Sequence, residues 1–357
     1  MKKFLALLLS LMMTVTLLSA CGSNPGSADK GNNPGGSAAA DSGTDAGSDS
    51  GAGESTEPIV LRIGHSQGEA SDWQLALLEF EKAVESSTNH SIGVGIYPSE
   101  TLGAELDNIT GIQQGLCEGV LSGEALSNWT PYASLVSMPY AVNSLDDLIT
   151  IASSEEVGGV IESQIIESAK LHPIGFFVRS ARNLTSNKPV NSIEDLKGVK
   201  IRVPNNSISV DLWNAYGADA LPMAWSEVFT SLQNGTLDGQ ENPYANILSN
   251  NIQEVQKYLI KTEHTYSWIY VLLGEDVWQS MTSEQQAAVE AAAQVMMDFQ
   301  HDYIKNEVSK QEEELRAQMT FIDIDKAPFI EITKEVLKNN LEEDIYNLYL
   351  KMVDMNQ

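Results

Sequence analysis

From Thr282 to Gln318 the chain carries neither glycine nor proline, and Val289, Ala292, Met296, Phe299, Tyr303, Val308, Leu315 and Met319 recur mainly at steps of three and four. Thr282 and Gln285 supply a capping box where this pattern begins. A helix of about 36 residues extends roughly 54 Å, more than the width of a small domain. The roughly 300 residues outside the N-terminal leader and tether suffice for two lobes, which such a helix would cross, although a single large domain would also fit. The all-polar run Lys310 to Glu314 leaves a second arrangement open, in which two helices meet near Ser309.

Upstream, strand and helix patterns alternate. Ile59, Leu61 and Ile63 alternate with Val60 and Arg62 and end at Gly64-His65, as a half-buried strand does. Ser71 with Gln74 forms a capping box for a helix whose Trp73, Leu77, Phe80 and Val84 share a face. Ser91 to Tyr97 reads as the next strand, and the order recurs through Leu106 to Gln114, Gly119 to Leu121, Pro173 to Val178 and Val199 to Val203. Such alternation predicts an α/β fold with largely parallel sheets, whose ligands lie beyond the carboxyl ends of the strands. His65, Ser66 and Gln67 fall at one such end and Arg182 near another.

The N-terminus has a separate character. Lys2 and Lys3 precede an apolar run from Phe4 to Leu18, too short for the roughly 20 residues that span a bilayer. The run ends in Leu18-Ser19-Ala20-Cys21, which resembles a bacterial lipoprotein signal with Cys21 as the lipidated residue after cleavage. An ordinary secretory leader is the alternative, and export follows from either. Residues 22–57 are Gly, Ser, Ala, Asp and Asn with almost no apolar side chains, a composition unable to offset ordering entropy. As a flexible tether this segment has a reach of about 33 Å.

The chain has 49 acidic against 21 basic side chains, a formal charge of −28, and removal of a leader with two lysines and no acid makes it −30. That surface repels nucleic acid and anionic headgroups, so neither is an expected partner. Organic anions must then be captured locally, in a desolvated site dominated by arginine. Cys117 is the one cysteine left after Cys21, so no internal disulfide is expected, and it reads as a small buried hydrophobe.

The chemistry concentrates between Arg182 and Asn242. Arg182 lies in Ala181-Arg182-Asn183-Leu184-Thr185-Ser186-Asn187, Arg202 in Lys200-Ile201-Arg202-Val203-Pro204, and Asn242 in Asp238-Gly239-Gln240-Glu241-Asn242-Pro243. Two guanidinium forks and an amide can hold one carboxylate by several charge-assisted hydrogen bonds. Enzyme signatures do poorly beside this. The histidines at 65, 90, 172, 264 and 301 lack zinc-site spacing, and there is neither a Gly-x-Ser-x-Gly elbow nor a phosphate-binding glycine loop. No metal or cofactor is expected.

The same segment, with Ile193 to Pro204, Pro222-Met223-Ala224-Trp225-Ser226-Glu227-Val228-Phe229, Glu254 to Tyr258, and the earlier Tyr97-Pro98-Ser99 and Leu102-Gly103, resembles the DctP-type solute-binding proteins of tripartite ATP-independent periplasmic (TRAP) transporters. The likeness runs from Leu61 to about Ile322. It implies a two-lobe periplasmic-binding-protein-like fold, type II-like, with a lobe-spanning helix: residues 58–180 with about 269–308 in the first lobe, 181–268 with about 309–357 in the second. It also implies that Arg202 is the main carboxylate-binding residue, with Arg182 and Asn242 beside it. Trp225 would pack on the ligand's carbon skeleton, and Ser66, Gln67 and Glu105 would line the far wall; His264 and Tyr266 are weaker candidates.

On this resemblance the chain is a monomeric extracytoplasmic receptor, not an enzyme, handing a small organic acid to TRAP membrane subunits while held to the membrane only by its lipid. Trp225 with Gln67 and Glu105 suggests a sugar acid or other hydroxy acid. A four-carbon dicarboxylate is the alternative, although Glu105 would repel its second charge. An exported enzyme or a sensor lipoprotein acting on an acidic sugar remains a different class of reading.

Overall fold

The computed structural model describes residues 58–356. The leader, Cys21 and the tether lie outside the described residues. The chain runs β1 (Ile59–Gly64), α1 (Asp72–Ser87), β2 (Ile92–Tyr97), α2 (Glu105–Gln113), β3 (Gly119–Ser122), α3 (Leu145–Ala152), α4 (Gly158–Ala169) and β4 (Leu171–Arg179). It continues through β5 (Asn183–Ser186), β6 (Lys200–Val203), α5 (Ser207–Ala215), β7 (Asp219–Pro222), α6 (Val228–Gln233), β8 (Gly239–Asn242), α7 (Tyr244–Ser249) and β9 (Tyr258–Lys261). It ends with β10 (Ser267–Gly274), α8 (Glu275–Ser280), α9 (Ser283–Gln318), β11 (Thr320–Asp323), α10 (Ala327–Asn340) and α11 (Glu343–Met355).

Two sheets result, ordered β2-β1-β3-β10-β4 and β11-β9-β5-β8-β6-β7. Each is parallel but for one reversed strand, β10 in the first and β5 in the second, so the sheets are largely parallel as expected. The reversal follows from the crossings. β4 ends where its sheet faces the other, so the chain enters the second sheet at the facing edge and must run backwards as β5. The return from β9 into β10 repeats this. The two crossing segments are bonded to each other: Arg182 N donates to Thr265 O at 2.8 Å and His264 N to Arg182 O at 3.3 Å.

The long helix is unbroken. Thr282 Oγ1 accepts from Gln285 N while Gln285 Oε1 accepts from Thr282 N, completing the capping box. Its first half buries Val289, Ala293 and Met296 against Leu61, Leu77, Phe80 and Phe177 of the first lobe. Its last turns bury Leu315, with Met319 just beyond, against Val228, Leu232, Ile247 and Leu259 of the second. The polar stretch near Ser309 stays helical because its charges pair along the helix, Lys310 with Glu307 and Arg316 with Glu312, both at 2.6 Å.

α1 buries Trp73, Leu77, Phe80 and Val84 on one face. Its capping box is only half formed: Ser71 Oγ accepts from Gln74 N, but Gln74 Oε1 accepts instead from His65 Nε2 at 2.9 Å, tying the helix start to the loop after β1. Cys117 is buried, its thiol facing Asn108 O at 3.6 Å. α11, at the end of the segment assigned above to the second lobe, packs against residues 131–137 and α3 of the first.

Candidate functional site

A cavity of about 270 Å³ lies between the facing edges of the two sheets. Ser66, Gln67, Glu105, Arg182, Arg202, Trp225 and Asn242 all line it, so the fold brings together all seven ligand candidates named from sequence. The loop after β1 supplies Ser66 and Gln67, and the start of α2 supplies Glu105. β6 supplies Arg202, the end of β8 supplies Asn242, and the segment between β4 and β5 supplies Arg182.

The arginines differ in what already holds them. Arg182 is buried, and its Nε and Nη2 donate to Glu241 Oε2 and Oε1 at 2.5 and 2.8 Å, with a further bond from Nη2 to Glu241 O at 2.7 Å. Burial works to raise the Glu241 carboxyl, but Arg182 and His264 outweigh it and hold the group at about 2. Arg179, which sequence reasoning missed, also borders the cavity and is paired, Nη2 donating to Glu124 Oε2 at 2.5 Å, while its buried Nε has no partner among the described residues. The signal for it was present: Arg179 ends β4, as Gln67 follows β1. Burial of Glu124 is outweighed by Arg179 and Arg182, which keep its carboxyl below the usual range.

Arg202 is the exception. Among the described residues it makes no ion pair; its Nε and Nη2 both donate to Met223 O, at 2.9 and 2.7 Å. It is only 6% exposed, and burial brings its pKa down to about 10, with Glu241 opposing and Arg182 adding to the fall. It therefore stays charged at neutral pH. The Trp225 ring lies 5.3 Å from Arg202 Cζ, and its Nε1 donates to Asn250 Oδ1 at 3.1 Å. Asn242 Nδ2 donates to Gln240 Oε1 at 2.7 Å, which leaves its second N–H for another acceptor.

On the opposite wall Glu105 Oε1 accepts from Ser122 Oγ at 2.6 Å and from Gly123 N at 3.4 Å. Burial and the nearby Glu124 push its carboxyl up to about 7. Gln67 reaches across the cleft, its Oε1 accepting from Asn250 Nδ2 at 2.7 Å. His264 stands behind Arg182, bonded to Glu241 and Thr262, and lines a smaller pocket of its own. Tyr266 borders neither space. Among the described residues no cluster of His, Cys, Asp or Glu is arranged to hold a metal ion, and no helix is long and apolar enough to cross a membrane.

Residues 63–344 match the family model described as bacterial extracellular solute-binding protein, family 7. The chain belongs to this family. It is 42% identical to a solute-binding protein of Roseobacter denitrificans over 290 residues, 81% of this chain and 89% of that one. The solved structure of that TRAP periplasmic solute-binding protein, with bound L-galactonate, superposes with a TM-score of 0.81, covering 84% of this chain and 99% of the other. A TRAP periplasmic solute-binding protein from Haemophilus influenzae with bound L-gulonate superposes with a TM-score of 0.79 at 25% identity, covering 83% and 99%. The two-lobe α/β architecture and the role of an extracytoplasmic solute-binding protein follow from this membership.

Proposed function

We propose that the protein captures a sugar acid, a monocarboxylate with several hydroxyl groups, through Arg202 and delivers it to a TRAP membrane permease. The observation that carries this reading is the contrast at Arg202: a buried, charged guanidinium bonded, among the described residues, only to a backbone carbonyl, in a cavity whose other two arginines are already neutralised by Glu124 and Glu241. A ligand carboxylate supplies the missing counter-charge. Charged hydrogen bonds contribute about 1.5–3 kcal/mol each, so Arg202, Asn242 and one further group reach much of the roughly −8 kcal/mol of micromolar binding. Trp225 offers an apolar face beside the anchor, and the carboxylates on the far wall accept from hydroxyls.

The relatives that hold L-galactonate and L-gulonate support the same class. A relative named as C4-dicarboxylate-binding, at 25% identity, keeps a dicarboxylate as the second reading, but the acidic wall opposes it. The lobes, 58–180 with about 269–308 and 181–268 with about 309–357, would close on the ligand, and Cys21 would anchor the monomer outside the cytoplasm.

A thermal-shift screen of aldonates, hexuronates and dicarboxylates, followed by calorimetry, tests the ligand class. Stabilisation by L-galactonate or L-gulonate is expected; tight binding of succinate or malate with no response to any sugar acid defeats it. A receptor releases its ligand unchanged, so a chemically altered acid recovered after incubation would favour an enzyme instead.

A further inference from the structure

The turn after β2 carries two successive residues in the left-handed backbone region, Ser99 at φ 55° and Glu100 at φ 57°. Neither is glycine, and such backbone persists only where its surroundings over-determine it, most often at functional sites. Here the turn is pinned to the loop that follows β1: Ser99 N donates to Gln67 O at 2.9 Å and Glu100 N to His65 O at 3.0 Å. Gly103 N closes the other side on Glu100 O at 2.9 Å. The strained backbone fixes one side chain against the cavity, that of Glu100.

The carboxylates around the cavity are not equivalent. Glu124 is paired with Arg179, and Glu105 accepts from Ser122 and Gly123. Asp107 and Glu227 are exposed to solvent at its border. Glu100 receives no hydrogen bond from any described residue; its Oε2 is shut off from solvent, so Oε1 is the oxygen left to meet a ligand in the cavity. A carboxylate only accepts, so what completes it is a donor. Arg202, the cationic anchor, belongs to the other sheet, so the two groups address a ligand from opposite lobes.

We propose that Glu100 sets the specificity of the cavity: it accepts hydrogen bonds from ligand hydroxyls on the wall opposite Arg202 and repels a second carboxylate there. The inference rests on the sugar-acid reading and deepens it, by naming the residue that separates aldonates from aldarates. The sequence expectation gave the repulsion to Glu105; Ser122 and Gly123 hold only its Oε1, so Glu100 is proposed beside it.

The test compares L-galactonate with galactarate, the dicarboxylate of the same six-carbon length, by calorimetry on wild-type protein, Glu100→Gln and Glu100→Gly. Wild type should prefer the aldonate by at least tenfold. Glu100→Gln, with the shape kept and the charge removed, should reduce that preference at least tenfold by strengthening galactarate and weakening L-galactonate. Glu100→Gly should behave alike in binding and melt no lower than wild type, since glycine adopts φ 57° without strain. A preference within twofold of wild type in both variants overturns the assignment of Glu100 and leaves the proposed function standing. If wild-type protein binds no sugar acid at all, the proposed function fails and this inference falls with it.

Discussion

The Arg182 guanidinium is clasped by the Glu241 carboxylate through two side-chain hydrogen bonds of 2.5 and 2.8 Å, with both side chains 3% exposed. The pair lies where the two crossing segments bond to each other, and His264 Nε2 meets the same Glu241 Oε2 at 2.9 Å. Arg182 therefore spends three of its five N–H groups on Glu241 and keeps Nη1, 4.0 Å from Glu124, for the cavity, whereas Arg202 has no acid of its own among the described residues. Breaking a buried pair leaves an uncompensated charge, so Arg182→Ala should lower the stability of the ligand-free protein by about 3–5 kcal/mol. Arg202→Ala removes a buried charge with no carboxylate partner and should leave the melting temperature unchanged or higher. Denaturant unfolding of the two variants side by side checks the ordering; equal losses would refute it.

Binding should reverse that ranking. Arg202→Ala should weaken the sugar acid identified in the screen by a hundredfold or more, the loss of about two charged hydrogen bonds. Arg202→Lys should also fail, because an ammonium reproduces neither the fork nor the stacking beside Trp225. Near wild-type affinity in either, measured by calorimetry, removes Arg202 from the site.

These contrasts mark where the sequence was legible. The long helix was readable because its caps and its apolar spacing are local, and seven cavity residues were found because strand ends and a motif flagged them. Whether an arginine is free or already paired depends on a partner far along the chain, such as Glu241 for Arg182, and no local pattern carries it. Glu100 was missed for the same reason. Its significance lies in a left-handed φ and an unbonded carboxylate, both properties of the folded turn. The reversal of β5 and β10 likewise depends on which edges of the sheets face each other.

Glu105 gives the pH response a sign. Its folded pKa of about 7 lies above the unfolded value of 4.5, so the folded state holds this proton more tightly. Between those values the folded protein binds more protons than the unfolded chain, and the contribution of Glu105 to stability falls as pH rises from about 4.5 to 7. Glu105→Gln should flatten that decline, and its melting temperature should exceed that of wild type most clearly above pH 7. A parallel pair of melting curves from pH 5 to 8 would show that Glu105 titrates normally.

The last expectation concerns closure. Gln67 follows β1 in the first sheet, whereas Asn250 follows α7 beside the second, yet Asn250 Nδ2 donates to Gln67 Oε1 at 2.7 Å while its Oδ1 accepts from Trp225 Nε1. One amide thus joins the two walls and holds the indole beside Arg202. A contact made only when the lobes approach stabilises the closed form alone, and a ligand touching both walls shifts the population the same way. Small-angle scattering should therefore show a smaller radius of gyration on saturation with ligand, and Trp225 fluorescence should change in step, most of the change being lost in Trp225→Phe. Asn250→Ala should leave the association rate within a fewfold of wild type and speed release at least fivefold, since the latch forms after encounter. An unchanged scattering profile at saturation, or a release rate equal to that of wild type, would show that Gln67 and Asn250 meet without governing closure.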